Sequence, residues 1–502
     1  MTVLSIPAEL GSACAHMTPA GPADAAAGTR ARFVAAPAST AEAAELLRAA
    51  AGLGLTVVAR GGGNRLDWAP APASCDLIVD TGRLDKILEH TAGDLVVSVQ
   101  AGVRLDDLAA VLAAAGQRLA LDPPGNSGTI GGLIATGAAG PLRFRYGSPR
   151  DLLIGITVIR ADGTIAKAGG KVVKNVAGYD IGKLFAGSYG TLGLITEATF
   201  RLHPLPESTA WVTLDCPDPA SAAAAVQAIA DSPLAPAAIE LDWPRASAQL
   251  SVAALLEGDE PSVALRADRL AELLERAVPG QSPVHTKRTG DRPAHRTPAD
   301  SRAKPSPDST PDDRAGADAG AADEAFRVLR PPSSGRGTEE PGPESGHDGA
   351  GADAGAAVGP FRVVRPLAGG RGGPATLLRV SFWAGKLVDV LGAIRGAAGQ
   401  HGLDPAVGGS AGAAVLEVAV GAEAAAGAVA GFVADLRASL GALSAGSVLP
   451  ATATAVVLHA PPAVRDAVDM WGPVQSPGLM RAVKNQFDPD NRMAPGRSPG
   501  GI

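Results

Sequence analysis

Cysteine is nearly missing from this chain. Among 502 residues there are three, Cys14, Cys75 and Cys216, far apart and odd in number. With no C-x-x-C pair the sequence offers no ligand set for zinc or an iron–sulfur cluster, so no metal site is expected. It offers no disulfide framework either, which fits a reducing, cytoplasmic compartment. Aromatic residues make up only 3%, so packing must rest on Leu, Val, Ile and Ala. There is no basic excess: 44 Lys and Arg stand against 51 Asp and Glu, a net charge of −7. That excludes a broad nucleic-acid-binding surface. Long apolar runs are missing too. The Ala-rich stretch 411–433 is broken by Glu417 and Glu423, and no transmembrane segment is expected. The first residues lack a basic n-region and do not read as a signal peptide.

What is present is length and aliphatic bulk. At 502 residues and 46% hydrophobic, the chain predicts two or more domains with sizeable cores. Residues 1–27 read as a flexible arm. Ser39-Thr40-Ala41-Glu42 reads as a capping box, with Leu46, Leu47, Ala50 and Leu53 at helical spacing after it. Strands are expected at Thr56–Ala59, Asp76–Asp80, Leu95–Gln100, Leu152–Arg160, Thr164–Lys167 and Ile195–Leu202. A helix should carry Leu105, Leu108, Val111 and Leu112 on one side.

Beyond residue 206 the pattern alternates between strands and Ala-rich helices, with helices at Ala222–Ile229 and Leu265–Leu274. Residues 281–373 break it. They hold 12 Pro and 15 Gly in 93 residues, 13 acidic and 13 basic side chains, and two aromatics. Such a stretch buries too little apolar surface to offset its ordering entropy, so disorder is expected. It contains one duplication, Gly316–Pro331 repeated as Gly351–Pro366. The plain reading is a copy event in a tolerant linker; the sharper one is a docking segment around Phe326 and Phe361. The strand Thr376–Trp383, the helix Leu387–Ala397 and strands at Val415–Val420 and Ala455–Leu458 then resume the second domain.

Three glycine-rich segments carry the chemical signal. The first is Arg60-Gly61-Gly62-Gly63-Asn64, directly after a strand. Bare backbone there lets N–H groups approach a phosphate as a nest, although no G-x-G-x-x-G fingerprint is present. The second runs from Pro123-Pro124-Gly125 through Thr129-Ile130-Gly131-Gly132 to Thr136, Gly140 and Tyr146-Gly147. The third is Lys174-Asn175-Val176-Ala177-Gly178-Tyr179-Asp180, followed by Gly187, Gly190, Gly193 and Ile195. Each one alone also fits an ordinary tight turn. Tyr179 and Asp180 read as packing and a turn cap, and His401 and His459, each isolated, read as structural.

Taken together, the segments resemble the FAD-binding domain of the vanillyl-alcohol oxidase / p-cresol methylhydroxylase superfamily, and within it the family of FAD-binding E subunits of bacterial glycolate oxidase. The tail Met480–Arg497 (MRAVKNQFDPDNRMAPGR) resembles the ending of that family. The likeness covers residues ~28–280 and ~374–502. It implies an α+β fold: a PCMH-type FAD-binding domain of two α+β subdomains at 28–206, then a cap of antiparallel sheet and helices. The cap would be split into 207–280 and 374–502 by the insertion.

The resemblance also implies roles. Arg60, Gly61, Gly62, Gly63 and Asn64 would hold the FAD pyrophosphate. Pro124, Thr129, Ile130, Gly131, Gly132, Thr136, Gly140 and Tyr146 would line the flavin, ribityl and phosphate groups. Gly190, Gly193 and Ile195 would contact FAD through backbone. Asn64 stands where some relatives carry the histidine that binds flavin covalently, which implies non-covalent FAD. Lys174 is the one candidate for a catalytic charge near the flavin or an anionic substrate. The family's hydroxy-acid dehydrogenases carry an H-x-G-D-G-N-x-H element, and this chain lacks it. The implied activity is oxidation of glycolate or another small 2-hydroxy acid, with a second FAD subunit and an iron–sulfur subunit as partners and any membrane attachment peripheral. A stand-alone FAD oxidase of another small alcohol and a non-catalytic assembly subunit are the alternatives.

Overall fold

The computed structural model describes residues 5–125, 128–171, 181–244, 249–286, 376–443 and 453–502. Three sheets organise them. The first has four strands in the order Met17–Pro19, Phe33–Ala35, Leu77–Asp80, Val57–Arg60. Its outer pair with Met17–Pro19 is antiparallel and the remaining pairs are parallel. The Thr40–Gly52 helix buries Ala43, Leu46, Leu47 and Ala50 against it. Ser39 caps this helix by accepting from the Glu42 N–H at 3.1 Å. The reciprocal half of the expected capping box is shifted, because the Glu42 carboxylate accepts from the N–H groups of Ala38 and Ala15.

That second contact corrects the expected flexible arm. Residues 5–27 are anchored because their few apolar groups are used. Leu10 and Cys14 are buried with Phe33 and Leu47, and Met17–Pro19 extends the sheet.

The second sheet is fully antiparallel, in the order Ile165–Gly169, Leu153–Ile159, Leu194–Arg201, Val96–Gln100, Ile87–Thr91. Two helices, Leu105–Ala114 and Ile130–Thr136, pack against it through Leu105, Leu108, Leu112, Ile130, Leu133 and Ile134. Val111, expected on the same side, is instead exposed.

The cap is one eight-stranded antiparallel sheet. Four strands, Ser208–Cys216, Ala238–Trp243, Leu250–Gly258 and Val284–Thr286, come from before the insertion. Four more, Thr376–Phe382, Ala406–Ser410, Val415–Val420 and Ala453–His459, come from after it. The halves join where Ala238–Trp243 pairs with Ala406–Ser410. The helices Pro219–Ala230, Glu260–Ala277, Leu387–Gln400 and Ala426–Ala442 close one core with this sheet. Val284–Thr286 pairs with Trp211–Thr213, so the sheet takes up the first residues of the stretch that composition assigns to the insertion. The rest of that stretch, with the duplication and both phenylalanines, lies outside the described residues.

The tail returns to the first domain. The Pro477–Phe487 helix brings Lys484 into the interior, 2% exposed, where its ammonium donates to Asp488 Oδ2 at 2.6 Å, Thr191 O at 2.7 Å and Met493 O at 2.9 Å. Arg492 and Met493 N–H groups donate to the same Asp488 carboxylate. Val57 N–H donates to Arg492 O and Val57 O accepts from Ala494 N–H, which fixes this segment beside the Val57–Arg60 strand.

Candidate functional site

The Val57–Arg60 strand ends at the triple glycine, and the three glycines are there for different reasons. A Cβ on Gly61 would lie 2.1 Å from Thr129 Oγ1, so this residue lets the loop close onto the second segment. Gly63 has φ +74°, a left-handed conformation that favours glycine. Gly62 has neither constraint: a Cβ there would meet its nearest protein neighbour at 3.8 Å. Thr129 caps the Ile130–Thr136 helix, its hydroxyl accepting from Gly132 N–H. Gly131 permits that helix to lie on the sheet, since a Cβ would meet the Ala101 Cβ at 2.8 Å. The third segment is strapped to the end of the same helix by Gly187 N–H to Ile134 O and Tyr189 N–H to Ala135 O.

Together these segments wall a cleft of about 720 Å³, counting its open mouth. Twelve of the sixteen expected cofactor residues line it: Arg60, Gly61, Gly62, Gly63, Asn64, Thr129, Gly131, Gly132, Thr136, Gly190, Gly193 and Ile195. The Arg60 guanidinium is held by Asp24 at 2.6 Å and Asp80 at 2.9 Å. Its side chain is thereby spoken for, and the backbone is what it offers to a ligand.

Four expected residues fall elsewhere. Ile130 is wholly buried in the core, because its side of the helix faces the sheet. Pro124 and Gly140 line a separate small cavity, and Gly140 is glycine because a Cβ would lie 1.9 Å from Asp122 O. Tyr146 is drawn toward the cap: its hydroxyl donates to Glu257 Oε2 at 2.7 Å and accepts from Arg118 at 3.0 Å. Lys174, Tyr179 and Asp180 lie outside the described residues. His401 Nε2 lies 2.7 Å from Asp435 Oδ2 and His459 Nδ1 2.8 Å from Asp67 Oδ2.

The structure adds residues that the glycine pattern did not single out. Arg65, Tyr189 and Arg497 also line the cleft. Burial pushes both guanidinium groups down, each to about 10, which leaves them charged at neutral pH. Arg497 donates to Leu66 O and Trp68 O, and Arg65 to Pro124 O at 2.9 Å. Two buried cations beside side-chain-free backbone suit an anionic, phosphate-bearing ligand. No lining residue is a histidine or cysteine.

Residues 31–169 match the family described as "FAD binding domain". The chain contains an FAD binding domain, and its cofactor is FAD. An uncharacterised FAD-linked oxidoreductase of Mycobacterium tuberculosis is 38% identical over 208 residues, 41% of this chain and 45% of that protein. The glycolate oxidase subunit GlcD of Bacillus subtilis is 35% identical over 213 residues, covering 42% and 45%. The glycolate oxidase subunit GlcE of Escherichia coli is 41% identical over 125 residues, covering 24% and 36%. The matched part is thus less than half the length of each of these relatives. Among solved structures, an alkyldihydroxyacetonephosphate synthase superposes with TM-score 0.58 over 92% of this chain and 76% of that one, at 13% identity. This supports the fold, an FAD domain followed by a cap. Among the described residues no helix is long and apolar enough to cross a membrane, and no cluster of His, Cys, Asp and Glu could hold a metal.

Proposed function

We propose that this chain is the FAD-binding subunit of a dehydrogenase complex that oxidises glycolate or a similar small 2-hydroxy acid. The observation that carries the reading is the convergence of three sequence-distant glycine segments on one cleft beside Arg65 and Arg497. When bound, FAD supplies the acceptor for the two electrons leaving the substrate carbon. The protein's own part is binding and electrostatics. Backbone of residues 60–64 and the Thr129–Gly132 turn hold the dinucleotide, and Asn64, in place of a covalent histidine, leaves it non-covalent. Arg65 and Arg497 would supply positive charge to the anionic dinucleotide from the wall of the cleft. With three cysteines, all buried and free, this chain has no cluster of its own to carry electrons away. An iron–sulfur partner, with a second FAD subunit, is the acceptor we propose. GlcD and GlcE, both named as glycolate oxidase subunits, support a multi-subunit setting.

The test is anaerobic mixing of the purified protein, alone and with co-purifying partners, with glycolate and with D-lactate. Loss of the visible flavin absorbance is expected with at least one acid. Flavin that stays oxidised in both preparations would leave an assembly role instead.

A further inference from the structure

The third glycine segment turns left-handed on glycine, with one exception. Gly187 and Gly190 have φ +81° and +75°, and Tyr189 between them has φ +52° with a full side chain. An L-residue there is strained, and such strain persists where the surroundings over-determine it. Here they do: Tyr189 N–H donates to Ala135 O at 2.8 Å, and the Thr191 hydroxyl donates to Ser188 O at 2.7 Å. Neither bond uses the Tyr189 side chain, so glycine at residue 189 would keep both with less strain. Of the described non-glycine residues with positive φ, Tyr189 alone lines the cofactor cleft. What the strain retains at the cleft is a phenol.

The ring of that phenol is held and its hydroxyl is not. The partly buried ring meets Trp471 edge-on, with centroids 5.2 Å apart, and the Trp471 indole N–H donates to Arg497 O at 3.1 Å. A tyrosine hydroxyl usually finds a partner when the ring is buried, and Tyr146 has two, Glu257 and Arg118. Among the described residues no group hydrogen-bonds the Tyr189 hydroxyl. The charges that face it are Arg379 of the cap and Arg497, which also lines the cleft. Burial pushes the phenol up, against the pull of both guanidinium groups. The hydroxyl therefore keeps its proton at neutral pH and has it to donate.

We propose that Tyr189 is a cofactor-contacting residue whose hydroxyl donates a hydrogen bond to bound FAD. The dinucleotide is rich in acceptors, with phosphate and carbonyl oxygens and ring nitrogens, and no acceptor among the described residues takes the proton first. The over-determined turn and the Trp471 edge hold the phenol at the cleft wall in advance, so little ordering is left for binding to offset. The inference rests on the reading above that this cleft holds the cofactor. It does not rest on the substrate or the partners proposed there.

The test is titration of FAD into the FAD-free full chain, followed by flavin fluorescence, beside thermal unfolding of the same FAD-free protein. Tyr189→Phe keeps the ring, the edge contact with Trp471 and the backbone strain, and removes only the hydroxyl. It is expected to weaken FAD by about three- to tenfold, the worth of one hydrogen bond, and to leave the unfolding midpoint of the FAD-free protein unchanged. Parental FAD affinity in Tyr189→Phe would overturn the proposal, because the hydroxyl would then meet only water. A lowered midpoint in FAD-free Tyr189→Phe would overturn it as well, because the hydroxyl would then serve the fold. Gly62→Val separates this inference from the reading beneath it. Full FAD in Gly62→Val sinks the cleft as the cofactor site and the proposal with it. Loss of FAD in Gly62→Val with parental affinity in Tyr189→Phe sinks the proposal alone.

Discussion

Gly61 and Thr129 approach so closely that any side chain at residue 61 would collide with the threonine hydroxyl, whereas Gly62 beside it has room within the protein. The two positions therefore separate folding from cofactor binding. Gly62→Val should leave thermal unfolding of the FAD-free protein within a few degrees of the parent and lower FAD content at least tenfold. Gly61→Val should lower both. Absorbance ratios of protein to flavin, alongside thermal scans, measure this. A Gly62→Val protein with full FAD would remove residue 62 from the cradle.

The buried Lys484–Asp488 pair is expected to dominate the stability of the tail. Lys484→Met leaves the Asp488 carboxylate and the carbonyl groups of Thr191 and Met493 without their cation. Breaking a buried pair on one side costs about 3–5 kcal/mol. Denaturant unfolding should register a loss of that order. FAD retention should fall with it, because the same tail delivers Arg497 to the cleft.

Asp122 makes stability depend on pH. Burial raises its carboxyl from 3.8 to about 7, against the pull of the Leu142 N–H and Arg143. A raised folded-state value means that the folded protein holds the proton longer than the unfolded chain does. Its contribution is therefore full below about pH 4 and is lost as pH rises through about 7. Chemical denaturation across that window should show a declining component that Asp122→Asn removes.

The three thiols should be inert in the native protein. All are buried, and burial pushes Cys14 up and Cys75 and Cys216 to about 12 each. Little thiolate exists at neutral pH to attack a reagent. Alkylation followed by mass spectrometry should find none modified in the folded protein and all three modified in denaturant.

Much of this was legible in the residues. The glycine runs pointed to segments that do meet at one cleft, and leucine spacing marked the long helices. Other features had no local mark. The Ile87–Thr91 strand is half exposed and carries no alternation. The arm looked loose because its apolar anchors, among them Leu10, Cys14 and Met17, are few and widely spaced, and its polar ties, Ala15 to Glu42 and Asp24 to Arg60, form only in the fold. Arg65 follows the first glycine loop and Tyr189 sits inside the third segment, but nothing nearby says that their side chains turn toward the cleft. Arg497 lies in the tail whose family likeness was visible, yet its place in the cleft depends on Lys484 docking near Thr191, 293 positions earlier.

The tail that supplies Arg497 also sets a schedule for assembly. All three glycine segments that wall the cleft are translated within the first two hundred residues, but Arg497 comes some three hundred residues later. The cap sheet likewise cannot zip its central seam until Ala406–Ser410 has left the ribosome. An emerging polypeptide thus has its glycine loops long before it can clamp a dinucleotide, so firm cofactor capture should wait for the segment that carries Arg497.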